Sequence, residues 1–177
     1  MMKTINWLFL VAGTFIMIYI MASTGRTLTT KATPQGILNL ELAYNKSKTN
    51  TVLQAWTPSG PNDVNNIRAA IKNTWLDFIF LFFYSLFLFY SCKTLAESFT
   101  GFTNKLGIFL AMGALNAGML DIAENAGMLL TLNGFSSNSI SLFTAICSSI
   151  KWVLALSALA YILVCSPFVL YKKIKRG

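Results

Sequence analysis

Residues 75–92 read WLDFIFLFFYSLFLFYSC, an apolar run in which Asp77 is the only charged residue. A helix needs about 20 predominantly apolar residues to cross the hydrocarbon core of a bilayer. The run is close to that length, and the residues just before it can extend it by a turn. It therefore predicts a membrane-spanning helix, which we place at residues 73–92.

The composition of the whole chain agrees with a membrane protein. Of its 177 residues, 55% are hydrophobic and 11% are charged, whereas soluble domains carry about 25% charged residues. The net charge of +8 raises the question of nucleic acid, but no face combines aromatic and basic residues for stacking bases. We therefore exclude nucleic acid as a partner and expect one domain, residues 1–177.

Three more apolar runs complete the prediction of an all-α fold, an integral membrane four-helix bundle. They lie at residues 5–22, 106–131 and 150–171. The first run resembles a signal peptide, but it is nearly long enough for a full span, so we expect it to remain uncleaved. Residues 93–105 are expected to form a short loop, and SISLFTAICSSI (139–150) to extend the last helix beyond the membrane.

Residues 23–62 are polar but carry apolar patches that predict a small folded cap between the first and second helices. Leu38, Leu40 and Leu42 alternate with polar residues, and VLQAW (52–56) supplies a second patch. The turn-rich segment TPSGPND (57–63) ends the cap. Asn62 or Asp63 there is suited to cap a second helix that begins near Asp63.

Basic and aromatic residues predict the orientation in the membrane. An even number of spans puts both termini on the same side. Four basic residues form a tail directly after the last span: Lys172, Lys173, Lys175 and Arg176. Short segments rich in Lys and Arg beside span ends favour the cytoplasmic side, and such a tail suits anionic lipid. We therefore expect cytoplasmic termini, an extracytoplasmic cap with Trp75 and Trp152 at the outer interface, and Trp7 at the inner one.

The third predicted span carries two carboxylates and an amide, Asp121, Glu124 and Asn125. Spacings of three and four residues place them on one face of a helix. Ala117 and Gly118 continue that face, and small residues let membrane helices approach closely. The third helix is therefore predicted to be the central one, with its acidic face inside the bundle.

Polar residues on the other helices fall at a similar depth. Asp77 begins the second span, Lys151 begins the last one, and Glu41 in the cap can hang over both. Asp77, Tyr84 and Ser91 recur every seven residues and share a face. The predicted polar cluster contains Asp77, Asp121, Glu124, Asn125, Lys151 and Glu41, with Tyr84, Ser91 and Trp56 as secondary members.

Three interpretations of this cluster are open. In the first, Lys151 pairs with Asp121 or Glu124 and only fixes the packing of the bundle. In the second, the cluster forms a functional pocket that is open to the outer surface. In the third, the side chains are simply exposed at the membrane interface.

The residues that most often carry catalysis or bind metal are scarce. The chain has no histidine, which removes the commonest metal ligand and the usual general base. Cys92, Cys147 and Cys165 lack CxxC spacing and lie in or beside apolar runs, so we expect buried thiols. We predict no metal and no cofactor, and we assign no catalytic residue.

Several of these motifs together resemble an uncharacterised family of small bacterial four-span inner-membrane proteins. The resemblance rests on PQGILNLELA (34–43) with Trp56, on the pairs Asp77-Phe78 and Tyr84-Ser85, and on LDIAEN (120–125). It covers residues 34–130. It implies a bacterial inner membrane and groups Glu41 with the carboxylates of the spans, but it implies no activity.

The cluster supports three functional hypotheses. The first is an accessory protein without enzymatic activity, which binds a lipid, a membrane-protein partner or a second copy of the chain. The second is an intramembrane enzyme that acts on a lipid-like substrate with Asp121 or Glu124 as general acid or base. The third is proton- or cation-coupled transport, which requires an oligomer because four spans are few for a transporter.

Overall fold

The computed structural model describes residues 4–58 and 65–175, and all regular structure in that part of the chain is helical. The helices are α1 (Thr4–Gly25), α2 (Leu38–Glu41), α3 (Lys46–Trp56), α4 (Asn66–Ala96), α5 (Gly101–Leu132) and α6 (Asn138–Ile174), with a 3-10 turn at Arg26–Leu28. The predicted all-α class is confirmed.

Helices α1, α4, α5 and α6 are long and apolar enough to cross a membrane, and they pack together as the predicted four-helix bundle. Helices α4, α5 and α6 contain 31, 32 and 37 residues. At 1.5 Å per residue they are about 46–55 Å long, whereas the hydrocarbon core of a bilayer is about 30 Å thick. Their ends therefore extend past the apolar layer, and the cap lies against one set of ends.

The third long helix was predicted to be central and the most enclosed; it is the most enclosed, but it does not pack against all the other long helices. Helix α5 is the most buried of the four, and it packs against α4 and α6. Helix α4, however, contacts all three other long helices, because α1 packs against it. Gly13 of α1 lies against the ring of Phe83, and Phe9 stacks on the same ring with centroids 5.5 Å apart. Among the described residues, α1 forms no packed interface with α5 or α6.

Two helix boundaries differ from the sequence prediction. The predicted loop at residues 93–105 is wrong, since α4 continues to Ala96 and α5 already begins at Gly101. The Ala96 carbonyl oxygen accepts hydrogen bonds from the Phe99 amide at 3.0 Å and from the Asn104 side-chain amide at 2.8 Å. These two contacts join the end of α4 to the connection and to the first turn of α5.

At its other end, α4 begins at Asn66 rather than near Asp63, and its N-cap is Asn65, whose side chain accepts from the Arg68 amide. The caps proposed from the sequence, Asn62 and Asp63, lie outside the described residues. Residues 139–150 extend the last helix as predicted, because α6 runs without interruption from Asn138.

The cap folds around Trp56. Its side chain is 1% exposed, and its indole N–H donates to the Leu28 carbonyl oxygen at 3.0 Å and to Thr33 Oγ1 at 3.2 Å. Leu28, Leu40 and Trp56 share an apolar core with Met128 of α5. The core therefore joins the cap to the bundle, and Trp56 is one of its anchors.

Two polar contacts fasten the beginning of α3 to the beginning of α6. The Lys46 amide donates to Asn138 Oδ1 at 2.9 Å. The hydroxyls of Thr49 and Ser141 share a 2.8 Å hydrogen bond. The cap is thus held to α6 as well as to α4 and α5.

Replacement of Gly118 by alanine is expected to destabilise the bundle, because α4 and α5 approach closely there. A β-carbon at Gly118 would lie 2.9 Å from Ser85 Cβ, and overpacking of this kind costs about 1–3 kcal/mol. At Gly113 the nearest atom to such a β-carbon is Leu154 Cδ2 at 3.4 Å. Gly113→Ala is therefore the matched control. Thermal unfolding in detergent should show a lower Tm for Gly118→Ala only; equal Tm values would contradict the close approach.

Candidate functional site

The centre of the polar cluster is the ammonium group of Lys151 on α6. Its Nζ lies 2.8 Å from Glu124 Oε2, 3.0 Å from Asp121 Oδ1 and 3.6 Å from Glu41 Oε2. Asp121 and Glu124 belong to α5, and Glu41 belongs to α2 of the cap. All four side chains are buried. One cation therefore links the cap, α5 and α6 inside the protein.

Asp121 connects this centre to α4. Its Oδ1 accepts a hydrogen bond from Lys151, and its Oδ2 accepts a 2.7 Å hydrogen bond from the Tyr84 hydroxyl. Asp121 and Glu124 lie one turn apart on α5, so both carboxylates reach Lys151 while Asp121 also faces α4. Both oxygens of Asp121 are occupied by protein groups.

A second link between α4 and α5 joins Asp77 to Asn125. The Asn125 side-chain amide donates a 2.8 Å hydrogen bond to Asp77 Oδ2. Asn125 is fully buried and Asp77 is 9% exposed. Asp77 and Tyr84 are seven residues apart on α4, which aims both side chains at α5.

Glu41 brings the cap into the cluster. Its Oε2 accepts hydrogen bonds from the Ser148 hydroxyl at 3.2 Å and from the Trp152 indole N–H at 3.3 Å. Ser148, Lys151 and Trp152 occupy successive positions on one face of α6. The short helix α2 ends at Glu41, so this carboxylate fastens the end of α2 to α6.

The cluster concentrates carboxyl groups. The chain has six acidic residues, and four of them belong to the cluster. Glu41, Asp121 and Glu124 pair with Lys151, and Asp77 is hydrogen-bonded to Asn125. Burial of a charged group is costly unless it is paired, and one ammonium cannot balance four carboxylates. The arrangement thus has more acceptors than its own donors satisfy.

A cavity of about 880 Å³ opens beside the cluster, between α1, α4, α6 and the cap. Apolar side chains form its long walls, among them Phe15 and Ile18 of α1, Phe80 of α4, and Leu156 and Leu159 of α6. Because α1 packs on α4 and not on α6, the cavity continues as a groove between α1 and α6. We call it the α1–α6 groove.

Only part of the cluster lines the α1–α6 groove. Glu41, Asp77, Tyr84, Asp121 and Lys151 lie on its wall, whereas Glu124 and Asn125 are enclosed between helices. Two of the wall residues keep an oxygen without a partner among the described residues, Asp77 Oδ1 and Glu41 Oε1. These oxygens can accept hydrogen bonds from a bound molecule.

Two secondary members predicted from the sequence lie elsewhere. Ser91 shares the face of Asp77 but is 14 residues further along α4, about 21 Å away, and it accepts a 3.4 Å hydrogen bond from the Trp7 indole. Trp56 is in the core of the cap. Neither residue contacts the cluster, because a shared face or a neighbouring segment does not establish a shared depth.

Sequence reasoning missed three groups around the groove. Ser148 and Trp152 both donate to Glu41, and Arg26 lines the groove near the cap. Ser148 precedes Lys151 by three residues, so helical spacing was a signal for it. No sequence signal indicated Arg26, which reaches the groove because the 3-10 turn follows α1 directly.

The three cysteines are buried free thiols, as predicted. The described residues contain no group of three or more His, Cys, Asp and Glu side chains arranged to hold a metal ion. The carboxylates of the cluster are spread around Lys151 instead.

Comparison with known proteins gives no relative: no protein-family model, no curated protein and no solved structure matches this chain. The resemblance to small bacterial four-span proteins stays a prediction, and the function rests on the site itself.

Removal of Lys151 is expected to destabilise the fold strongly, since Asp121 and Glu124 would remain buried without their cation. Breaking a buried ion pair from one side costs about 3–5 kcal/mol. Lys151→Met should therefore lower the Tm in detergent, and addition of Asp121→Asn and Glu124→Gln should restore most of it. The exposed Lys105, replaced by Met, is the control. A Lys151→Met protein as stable as the wild type would contradict a structural role for the network.

Proposed function

We propose that this protein is an integral membrane protein that binds an amphiphile of the bilayer in the α1–α6 groove. One observation carries the proposal: a single groove joins long apolar walls to buried carboxylates at one end. An amphiphile has the same two parts, since its apolar chain suits the apolar walls and its polar head group suits the carboxylates. The cavity volume also falls in the range of ligand pockets, about 300–1,000 Å³.

The position of α1 supports lateral access to the groove. Phe15 is on the α1 side and Leu159 on the α6 side, and both side chains are exposed to the groove or to the surroundings of the bundle. A molecule that is already in the bilayer would enter between these helices with its chain. Its head group would then meet Asp77 and Glu41 below the cap.

Binding fits the site better than catalysis by the two carboxylates proposed as acid or base. Asp121 has both oxygens occupied by Lys151 and Tyr84. Glu124 is fully buried and does not line the groove. A general acid or base must reach the proton that it transfers, and neither residue presents a free oxygen to the groove. The carboxylates with free oxygens, Asp77 and Glu41, suit recognition of donors.

The proposal includes a bacterial inner membrane with the cap on its outer side and both termini in the cytoplasm. The cap and the basic tail lie at opposite ends of α6, which is what this orientation requires. Lys172 and Lys175, with Lys173 and Arg176 of the same tail, would contact anionic lipid of the inner leaflet.

A bulky side chain in the groove is expected to weaken amphiphile binding without disturbing the cluster. Ala155 of α6 lines the groove, whereas Ala160 on the same helix is exposed and does not line it. Ala155→Trp should reduce labelling by an alkyl amphiphile that carries a photoreactive diazirine about tenfold, and Ala160→Trp should leave it unchanged.

Mass spectrometry of the labelled wild-type protein gives a second readout. The label should concentrate on groove residues such as Phe15 and Leu159. Labelling spread evenly over all exposed apolar surfaces, with no effect of Ala155→Trp, would refute the proposed groove.

A further inference from the structure

The carboxylates of the cluster divide into two kinds by their contacts. Asp121 and Glu124 are engaged by Lys151 and fix α5 to α6. Asp77 and Glu41 are 9% and 6% exposed, line the groove, and each leave one oxygen without a partner among the described residues. Glu124 Oε1 and Asn125 Oδ1 also lack a hydrogen-bond partner among the described residues, but both are enclosed between helices. The free acceptors that a ligand in the groove can reach are therefore those of Asp77 and Glu41.

Two buried acceptors on a groove wall define what they require from an occupant. Carboxylate oxygens accept hydrogen bonds and attract positive charge. Asp77 is on α4 and Glu41 is on α2, so they approach the groove from different elements. A donor between them must supply hydrogen atoms in at least two directions.

The same groove is also lined by a cationic side chain. Arg26, directly after α1, lines the groove and is exposed. It forms no ion pair with a carboxylate in the part of the chain that the structure describes. A guanidinium group binds phosphate oxygens through paired N–H donors. The groove thus presents buried acceptors and an exposed donor that can bind an anion.

We propose that the head group recognised in the α1–α6 groove carries a primary ammonium and a phosphate, with the ammonium between Asp77 and Glu41 and the phosphate at Arg26. This inference rests on the proposed amphiphile binding and specifies its ligand. A primary ammonium has three N–H donors, which suits two acceptors on different walls.

A quaternary ammonium carries the same charge but has no N–H group, so it would leave both carboxylate oxygens without a hydrogen bond. The aromatic side chains of Phe80, Tyr84 and Trp152 also line the groove and can attract such a cation through their ring faces. The two head groups therefore distinguish recognition by hydrogen bonds from recognition by aromatic rings.

The test is competition with the photoreactive alkyl amphiphile for the purified full-length protein. The competitors are phosphatidylethanolamine, phosphatidylcholine and phosphatidylglycerol with identical acyl chains. Phosphatidylethanolamine is expected to compete about tenfold better than either of the others. Asp77→Asn and Glu41→Gln should each reduce this preference to less than threefold, while the alkyl probe itself still labels the groove.

Matched variants separate the two ends of the head group. Arg26→Gln should weaken competition by phosphatidylethanolamine but leave competition by a simple primary alkylamine unchanged. Glu97→Gln removes an exposed carboxylate at the opposite end of α4 and should alter nothing. If Asp77→Asn does not fold, the three lipids on the wild-type protein still decide the question.

The outcomes separate this inference from the proposed function. Equal competition by the three lipids would overturn the head-group assignment while amphiphile binding stands. Preference for phosphatidylcholine would overturn it in favour of the aromatic side chains. Preference for phosphatidylglycerol would overturn it in favour of Arg26 alone. A probe that does not label the groove in the wild-type protein would overturn both proposals.

Discussion

The ammonium group of Lys151, shared by carboxylates from the cap and from α5, is the interaction on which the rest of the structure depends. Lipid is as apolar as the helix surfaces, so hydrophobic burial does little to choose one packing of membrane helices over another. Ion pairs and hydrogen bonds between fixed positions can favour one packing over the others. Lys151 sets the register of α5 against α6, and Asp121 transfers that register to α4 through Tyr84. Glu41 extends the same network to α2, which has four residues and cannot hold its own position.

The same network explains why the groove has polar groups on its wall. A cluster that served packing alone would pair every carboxylate, because unpaired buried acceptors lower stability. Asp121 meets that condition. Asp77 and Glu124 do not, because each keeps one oxygen without a hydrogen-bond partner among the described residues. Asn125 occupies one oxygen of Asp77 and leaves the other on the groove wall. The free oxygen of Glu124 is enclosed between helices, whereas Asp77 lines the groove. Pairing and position together therefore separate a supporting part of the cluster from a part that is available to a ligand.

Sequence reasoning recovered the helices and most of the cluster, and its errors have definite causes. Apolar length identified the four long helices, and helical spacing placed Asp121, Glu124 and Asn125 on a common face, because both signals are local. Ser91 shares the face of Asp77 but not its depth, because a seven-residue repeat fixes a face and not a depth. The groove itself was not predictable, since it exists only because α1 packs on α4 through Gly13 and Phe83 and leaves α6 free. Which helix α1 packs against is decided by long-range contacts, and the periodicity of α1 alone does not predict it.

The depth of the cluster bears both on the free-energy cost of its ionised side chains and on the part of a ligand that it can bind. An ionised side chain at the centre of a bilayer costs about 3 kcal/mol, and less near the interface. The contacts of Glu41 with Ser148 and Trp152 place the cluster directly beneath the cap, toward the ends of α4 and α6 that extend past the apolar layer. In the proposed orientation, head groups of bilayer amphiphiles would lie at that level, and their chains would extend toward the membrane centre. A groove whose polar end lies below the cap and whose apolar walls follow α1 and α6 therefore has the same polarity profile as the molecules that surround it.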